Sequence, residues 1–343
     1  MKLLFDGFWW MTGPPSGRHV LRSLVKQWSE SFPQDVINVR VPKEHLASVS
    51  NELSARSNVT AVPTRLPNHQ LSCIAMGGSY DAIITQNFAA LRRSRAVTAV
   101  LVHDAIFVEH PEWFTRMERA YLSSVIPLAR RSDVVFTSSR AEALRIEKIS
   151  KRKVHDVGLA LPAEFKLAPS SKPGAEIPPR FVLAVGRLNA RKNLEMLVRA
   201  TSPAYQGGTA LPLVVVGERN GRTESRDEEA RHVTWLGGVS DGELKWLYAH
   251  CAAFVFPSLD EGFGLPILEA ASEGARLALS EIGAFKELAP ESSFFDPTDP
   301  VAMATSISRA MSAAPTPVHQ PGWNEVCARM RTAILEESRE HLH

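Results

Sequence analysis

Long hydrophobic runs are missing from this chain. The longest apolar stretches, residues 181–185 and 213–216, have the length of a strand and fall far short of the roughly 20 residues that a bilayer-crossing helix needs. No transmembrane helix is expected. Behind Lys2 the chain meets Asp6 and Gly7 before an apolar signal core can form, so a cytoplasmic location is expected, with peripheral contact at the inner face of a membrane left open. Cysteine is scarce as well. Cys73, Cys251 and Cys327 show neither close pairing nor metal-ligand spacing and are read as buried free thiols. Aspartates separated by one residue at a strand end are absent and the 11 histidines are dispersed, so no catalytic metal or other cofactor is expected. A Walker loop and a dinucleotide glycine fingerprint with its ribose-binding acid are also lacking, which speaks against an oxidoreductase on a similar scaffold. The basic pairs Arg92-Arg93 and Arg130-Arg131 stand without interleaved aromatics, so nucleic acid is not an expected partner.

What is present is enough apolar sequence, 44% of 343 residues, for two cores of ordinary size. Net charge is only +2, yet it is unevenly spread: residues 1–165 hold 21 Lys and Arg against 15 Asp and Glu, and the remainder hold 18 against 22. A basic first half suits a phosphorylated or lipid-linked partner at a membrane surface, and solvated surface charge explains it equally well.

Short β-branched runs alternate with amphipathic stretches of helix length, the pattern of a parallel sheet wrapped by helices. Expected strands in the first half are 3–6, 36–41, 82–85, 97–103 and 134–137. A region rich in proline, serine and lysine at 163–180 reads as a linker. The alternation then restarts at 181–185, 213–216, 232–236, 252–256 and 277–280. Ser240 followed by Glu243 forms a capping box for a helix through Tyr248. The last stretch, Trp323–Glu340, reads as a long helix that either ends the second domain or crosses back to the first.

The most informative segment runs from Phe256 through Glu261-Gly262-Phe263-Gly264-Leu265-Pro266 to Glu269 and Ala270. A strand passes into a glycine-rich turn and then a helix, which is the layout of an anion site: Gly262 and Gly264 bare the backbone amides and Pro266 suits a helix start. Glu269 falls one turn into that helix, where a carboxylate accepts hydrogen bonds from ribose hydroxyls, while Glu261 reaches a sugar beyond the phosphates. The alternative is that both glutamates only complement the helix dipole, about 0.3–1 kcal/mol each. A second block, Gly186-Arg187-Leu188-Asn189-Ala190-Arg191-Lys192-Asn193, follows the first strand of the second half. Arg187 and Lys192 are read as cations aimed at a diphosphate leaving group, and Arg191 as a solvated neighbour.

These blocks resemble the signature of the family 4 glycosyltransferases, retaining enzymes of the GT-B fold, in which two glutamates eight apart flank a Gly-Phe-Gly-Leu-Pro turn. Val216-Gly217, Leu236-Gly237, Phe285-Lys286-Glu287-Leu288 and Phe295-Asp296-Pro297 extend the likeness. Arg276 departs from it, standing where the family usually has proline. In the first half Gly13-Pro14-Pro15-Ser16-Gly17-Arg18 resembles the family's glycine loop. The resemblance implies that Gly17 meets donor phosphates and Arg18 helps on the acceptor side, although a plain tight turn explains the same residues. His103-Asp104, at the end of an expected strand, matches the position of a histidine that hydrogen-bonds the donor sugar. Ser138-Ser139 resembles a serine cap.

The expected fold is therefore α/β, a GT-B arrangement of two Rossmann-like domains facing each other across a cleft: 1–165 on the acceptor side, 175–320 binding the nucleotide sugar, and 321–343 a terminal helix. The resemblance implies a metal-independent hexosyltransferase. Arg187, Lys192, Glu261 and His103 would be catalytic, and Glu269, Gly264, Leu265, Phe263, Gly17 and Gly186 would bind the donor. The first half is similar to mannosyl- and rhamnosyltransferases of bacterial surface polysaccharide synthesis, which makes GDP-mannose the first expected donor, a UDP- or dTDP-sugar the second, and a glycan or lipid-linked hydroxyl the acceptor. A catalytically silent nucleotide-sugar-binding homologue is the alternative.

Overall fold

The computed structural model describes residues 1–91, 95–218, 230–318 and 321–340; Arg92 and Arg93 lie outside them. The chain divides into two compact units. The first takes Met1–Ala105, Ala120–Pro162 and the segment from Pro321 onward; the second takes Ile106–Arg119 and Ala163–Gln320. Sequence reading placed 106–119 with the first half. This stretch holds the short helical segments Ile106–Glu109 and Pro111–Trp113 and the start of the helix Arg116–Leu122, and no strand, so the alternation of strands and helices carries no information on where it packs.

The first unit is built on seven parallel strands: β1 (Lys2–Asp6), β2 (Val36–Pro42), β3 (Val59–Thr64), β4 (Ala82–Gln86), β5 (Val97–Leu101), β6 (Val134–Thr137) and β7 (His155–Asp156), in the spatial order β3-β2-β1-β4-β5-β6-β7. Every residue of β4 and β5 is buried, as expected of parallel strands covered on both faces. The helix Pro15–Ser31 buries Val20, Leu21, Leu24, Val25 and Trp28, a spacing of three and four that puts one apolar stripe against its neighbours. The helix Trp323–Glu340 packs beside it through Val326, Met330 and Ile334. Cys327 Sγ lies 3.7 Å from the Leu24 carbonyl and Trp323 Nε1 donates to the Leu161 carbonyl at 3.0 Å. The terminal helix is thus part of the first unit.

A buried carboxylate ties this helix down. Asp35, fully buried, accepts from Arg331 Nε at 3.0 Å, from Trp28 Nε1 at 3.0 Å and from the amino group of Met1 at 2.6 Å. Burial alone would raise its pKa, but these donors hold it below the ordinary value.

Among the described residues the second unit has six parallel strands: β8 (Val182–Val185), β9 (Leu213–Val216), β10 (Val233–Gly237), β11 (Ala253–Phe256), β12 (Leu277–Ser280) and β13 (Ser293–Phe295), in the order β10-β9-β8-β11-β12-β13. Val182, Ala184, Val215, Val255, Met303 and Ile307 share one core. The capping box at Ser240 and Glu243 opens the helix Asp241–His250. The proline-rich stretch after Ala163 is not a free tether. Ser171 N donates to the Gly242 carbonyl at 3.0 Å, and a Cβ on Gly242 would stand 2.4 Å from the Pro169 carbonyl oxygen, so the glycine is what lets the connection lie flat on that helix. All three cysteines are buried and unbridged.

Removing the carboxylate that holds Arg331 should be costly, because the cation is left without its partner. Asp35→Ala is expected to destabilise the first unit by about 3 kcal/mol or more, read as an earlier denaturant midpoint for tryptophan fluorescence. A loss under about 1 kcal/mol would show that the cluster behaves as a solvated surface pair.

Candidate active site

In the second sheet β8 and β11 are neighbours while β9 and β12 lie on their opposite sides, so the connections that follow β8 and β11 depart in opposite directions. That reversal leaves an opening at the carboxyl ends of the two strands, where open α/β sheets bind ligands. Both motif blocks begin there. Gly186, at φ +147°, turns the chain out of β8, and a Cβ on it would sit 3.1 Å from Lys192 Cε, so the bare backbone leaves a channel for the lysine stem. Gly217 is held to the same backbone even more closely: its Cβ would lie 1.8 Å from the Gly186 carbonyl oxygen. Asn189 caps the turn Ala190–Lys192 by accepting from Lys192 N, and Asn193, at φ +54°, donates to the carbonyls of Pro257 at 3.1 Å and Pro297 at 2.7 Å. Two loops distant in sequence are bolted together in this way.

Glu261 is the centre of the charge cluster. Its carboxylate pairs with Lys192 Nζ and with Arg191 at 2.5 Å, and accepts from Ser258 Oγ at 2.8 Å. The Glu261 and Lys192 side chains are each 11% exposed and Arg191 is 18% exposed, so solvent screens these charges little. Burial by itself would raise the Glu261 pKa, yet Arg191 and Lys192 hold it well below the usual carboxylate range. Burial lowers the Lys192 pKa, with Arg191 and Arg187 adding to the effect against Glu261. Lys192 Nζ also stands 4.6 Å from the centre of the Phe256 ring. Arg191 is therefore no solvated neighbour: it donates to the Asp260 carbonyl at 2.9 Å and anchors the acidic loop. Arg187 is exposed, but its charge reaches Lys192.

The turn ahead of the next helix follows the same logic. Gly264 adopts φ +119° and caps the helix Leu265–Ser272, a left-handed conformation that side chains avoid; Pro266 occupies its first turn, and Phe263 and Leu265 are half-buried around it. Glu269 does not join the Lys192 cluster. It accepts from Tyr248 Oη at 3.0 Å, and burial pushes its pKa up to about 7 despite that bond. Tyr248 is fully buried against Phe254, so one oxygen of Glu269 is fixed by the fold.

The first sheet carries a second constellation at its own reversal between β1 and β4. Gly13 and Gly17 line a slot for one indole: a Cβ on either would stand 2.5 Å from Trp9 ring atoms. Packing of Trp9 thus accounts for both glycines, and Gly17 is buried inside the helix Pro15–Ser31. Arg18 is half-buried and donates to the Met11 carbonyl at 3.4 Å. Trp9 leans on His69 at 4.0 Å and stacks toward His103 at 6.3 Å. His69 Nε2 meets Asp6 Oδ2 at 2.7 Å. Burial, then the nearby His69, lowers the His103 pKa to about 4, and its Nε2 lies 2.7 Å from Gln86 Oε1. Ser139 caps the helix Arg140–Ser150, a structural role.

Sequence reading passed over Asp6, Trp9, His69, Gln86, Tyr248 and Ser258. Asp6 and Gln86 terminate strands beside the reversal, the one positional signal that singles them out. Dispersed in sequence, Asp6, His69 and Cys73 come within 4.8 Å of one another; the Asp6–His69 separation is that of a direct hydrogen bond, shorter than two ligands of one metal ordinarily keep.

Residues 179–313 match the family model described as Glycosyl transferases group 1. Among curated proteins, the Serotype-specific mannosyltransferase WbdA of Escherichia coli is 27% identical over 243 residues, 63% of this chain and 30% of that protein. The O-antigen chain mannosyltransferase B of Escherichia coli is 28% identical over 64% of this chain and 62% of its own, and the D-rhamnosyltransferase WbpZ of Pseudomonas aeruginosa is 37% identical over 31% and 28%. The chain thus spans about three tenths of the length of WbdA. Among solved structures, sucrose-phosphate synthase from Thermosynechococcus elongatus aligns with a TM-score of 0.59 at 16% identity, over 99% of this chain and 97% of that one. The Escherichia coli trehalose-6-phosphate protein bound with UDP-2-fluoro glucose aligns with 0.59 at 12%, over 99% and 96%. The two parallel-sheet units are those of the GT-B fold.

The raised pKa of Glu269 has a direction that can be measured. The ordinary value is 4.5 and the folded value about 7, so folding favours the protonated carboxyl. Its contribution to stability is present below pH 4.5 and is lost as the pH rises to about 7. Across that window Glu269→Gln should remove part of the fall in melting temperature of the ligand-free protein; parallel melting curves for the two proteins would show the group to be unperturbed.

Proposed function

We propose that this chain, whose second unit carries a glycosyl transferases group 1 domain on a GT-B framework, transfers a hexose from a nucleotide-diphosphate sugar to a hydroxyl of a glycan or lipid-linked acceptor. The observation that carries the reading is the cluster of Lys192, Arg191 and Glu261 at the β8–β11 reversal. Cations held out of solvent there meet the charge that a departing diphosphate acquires. As the anomeric C–O bond breaks, its electron pair goes to the diphosphate oxygen, and Lys192 and Arg187 stabilise it. Glu261 keeps Lys192 aligned and presents its carboxylate toward the sugar. The departing diphosphate takes the acceptor proton on the same face, which retains the anomeric configuration.

Glu269 accepts from ribose hydroxyls with the oxygen that Tyr248 leaves available, and Gly264 with the amides of the following turn faces phosphate oxygens. His103 meets a sugar hydroxyl and Arg18 serves the acceptor side. GDP-mannose is the first donor to test, since the curated relatives named above include mannosyltransferases; UDP- and dTDP-sugars come next. No helix among the described residues is long and apolar enough to cross a membrane, and the acceptor is reached from the surface of a membrane or from solution.

Incubation with each sugar nucleotide should release nucleoside diphosphate slowly, and a thermal-shift screen should single out one nucleoside diphosphate. A protein that is stabilised by that nucleotide and releases none is a silent binder. Lys192→Ala is expected to lower kcat by about 100-fold or more with little change in KM, whereas Glu269→Ala should chiefly raise KM for the donor. Unchanged kinetics in both variants would remove the assignment.

A further inference from the structure

We infer that Gln86 is a positioning residue that holds His103 as the neutral Nε2–H tautomer, so that the ring meets a ligand hydroxyl as an acceptor through Nδ1. The inference rests on the reading of His103 as a residue that faces the sugar. Gln86 closes β4 and is 3% exposed. Its Oε1 lies 2.7 Å from His103 Nε2, and an amide oxygen only accepts, so the imidazole nitrogen facing it carries the hydrogen.

The main chain keeps the two side chains in register. Gln86 pairs with Leu101 across the β4–β5 ladder, Asn87 N donates to the Leu101 carbonyl at 2.9 Å, and His103 N donates to Asn87 Oδ1 at 3.1 Å. Asn87 takes the left-handed conformation, φ +58°, that this crossover needs. On its other side the ring has Trp9, wedged between His103 and the Asp6-bonded His69.

A neutral imidazole whose N–H is engaged has one polar atom left, the Nδ1 lone pair. It accepts from an O–H and is repelled by a carboxylate or phosphate oxygen. The ligand group read at this point is therefore an uncharged hydroxyl, which separates a neutral hexose from a uronic acid or a sugar phosphate. Gln86 Nε2 is buried with no hydrogen-bond partner among the described residues, and such an orphan in a native fold marks bonding that a ligand or ordered water completes. Burial and the nearby His69 both favour the neutral ring; the other titratable groups here are Asp6, bonded to His69, Cys73 and Tyr121 beyond it, and Asp104, next in the chain.

The test is the nitrogen spectrum of the full chain labelled with ¹⁵N-histidine, the His103 signals being identified by their loss in His103→Gln. From pH 6 to 8 the wild type should show a protonated Nε2 and an unprotonated Nδ1. An Nδ1–H tautomer, which the opposite amide rotamer of Gln86 would impose, or an imidazolium at pH 7, would overturn the proposal. Gln86→Leu should let the two tautomers mix, and an unchanged spectrum would show that Gln86 does not set the tautomer. Gln86→Glu puts a carboxylate at the same place and should protonate both nitrogens near pH 6, raising KM for the productive donor by about tenfold there; a ring left neutral by that carboxylate counts against the contact. If this variant does not fold, the wild-type spectrum and Gln86→Leu decide. The spectrum needs no substrate. An Nε2–H ring in a protein that releases no nucleoside diphosphate would leave the Gln86 contact standing while the glycosyl-transfer reading fell.

Discussion

Parallel strands deliver all their following loops to one edge of the sheet, and a reversal of strand order is what lets two of those loops turn away from each other and leave a hollow. In the second unit that hollow opens between β8 and β11, and a carboxylate enclosed there must find positive charge or lose its own. Glu261 finds two cations, Lys192 and Arg191. The arrangement constrains much around it: Gly186 and Gly217 have to be bare for the backbone and the lysine stem to pass, and Asn193 has to bridge the two loops. Because the pair is little screened, Lys192 is held by a carboxylate and not by the water that surrounds an exposed lysine.

The first unit repeats the strand order around β1 and β4 and fills the corresponding position with different chemistry. Here the groups are an indole, two imidazoles and an amide, with the carboxylate of Asp6 held beneath them by His69. One reversal point is built on two cations around a carboxylate and the other on stacked rings and an amide above one carboxylate, although the same strand order builds both. Glycines make room for a side chain of the protein itself at both points, Gly13 and Gly17 for Trp9 and Gly186 for Lys192.

The central strands were legible in the sequence and, β10 apart, the edges were not. Ten strands expected from apolar runs are present within one or two residues, while β3, β7 and β13 escaped notice. All three lie at sheet edges, where one side needs no apolar neighbour: β3 contains Pro63, which only an edge tolerates, and β7 has two residues. In the site, Lys192, Glu261 and the glycine turn stood out because they lie in two short blocks, each directly after a strand, whose spacing can be read without knowing the fold. Arg191 was misread, since nothing in its neighbours reveals that Glu261, 70 positions on, folds back to meet it. Tyr248 beside Glu269, and Gln86 beside His103, were hidden for the same reason: a side chain that acts by holding another leaves no local spacing to detect.

The first unit combines Met1–Ala105 and Ala120–Pro162 with the segment from Pro321 onward, and most of the second lies between them in sequence. During synthesis the apolar stripe of Val20, Leu24 and Trp28 therefore leaves the ribosome long before Val326, Met330 and Ile334 exist to cover it. The inserted unit has every strand it needs much earlier. Nascent chains should thus pass through a stage with the second unit complete and the first still sticky, a stage at which chaperones would hold them and proteases would find them.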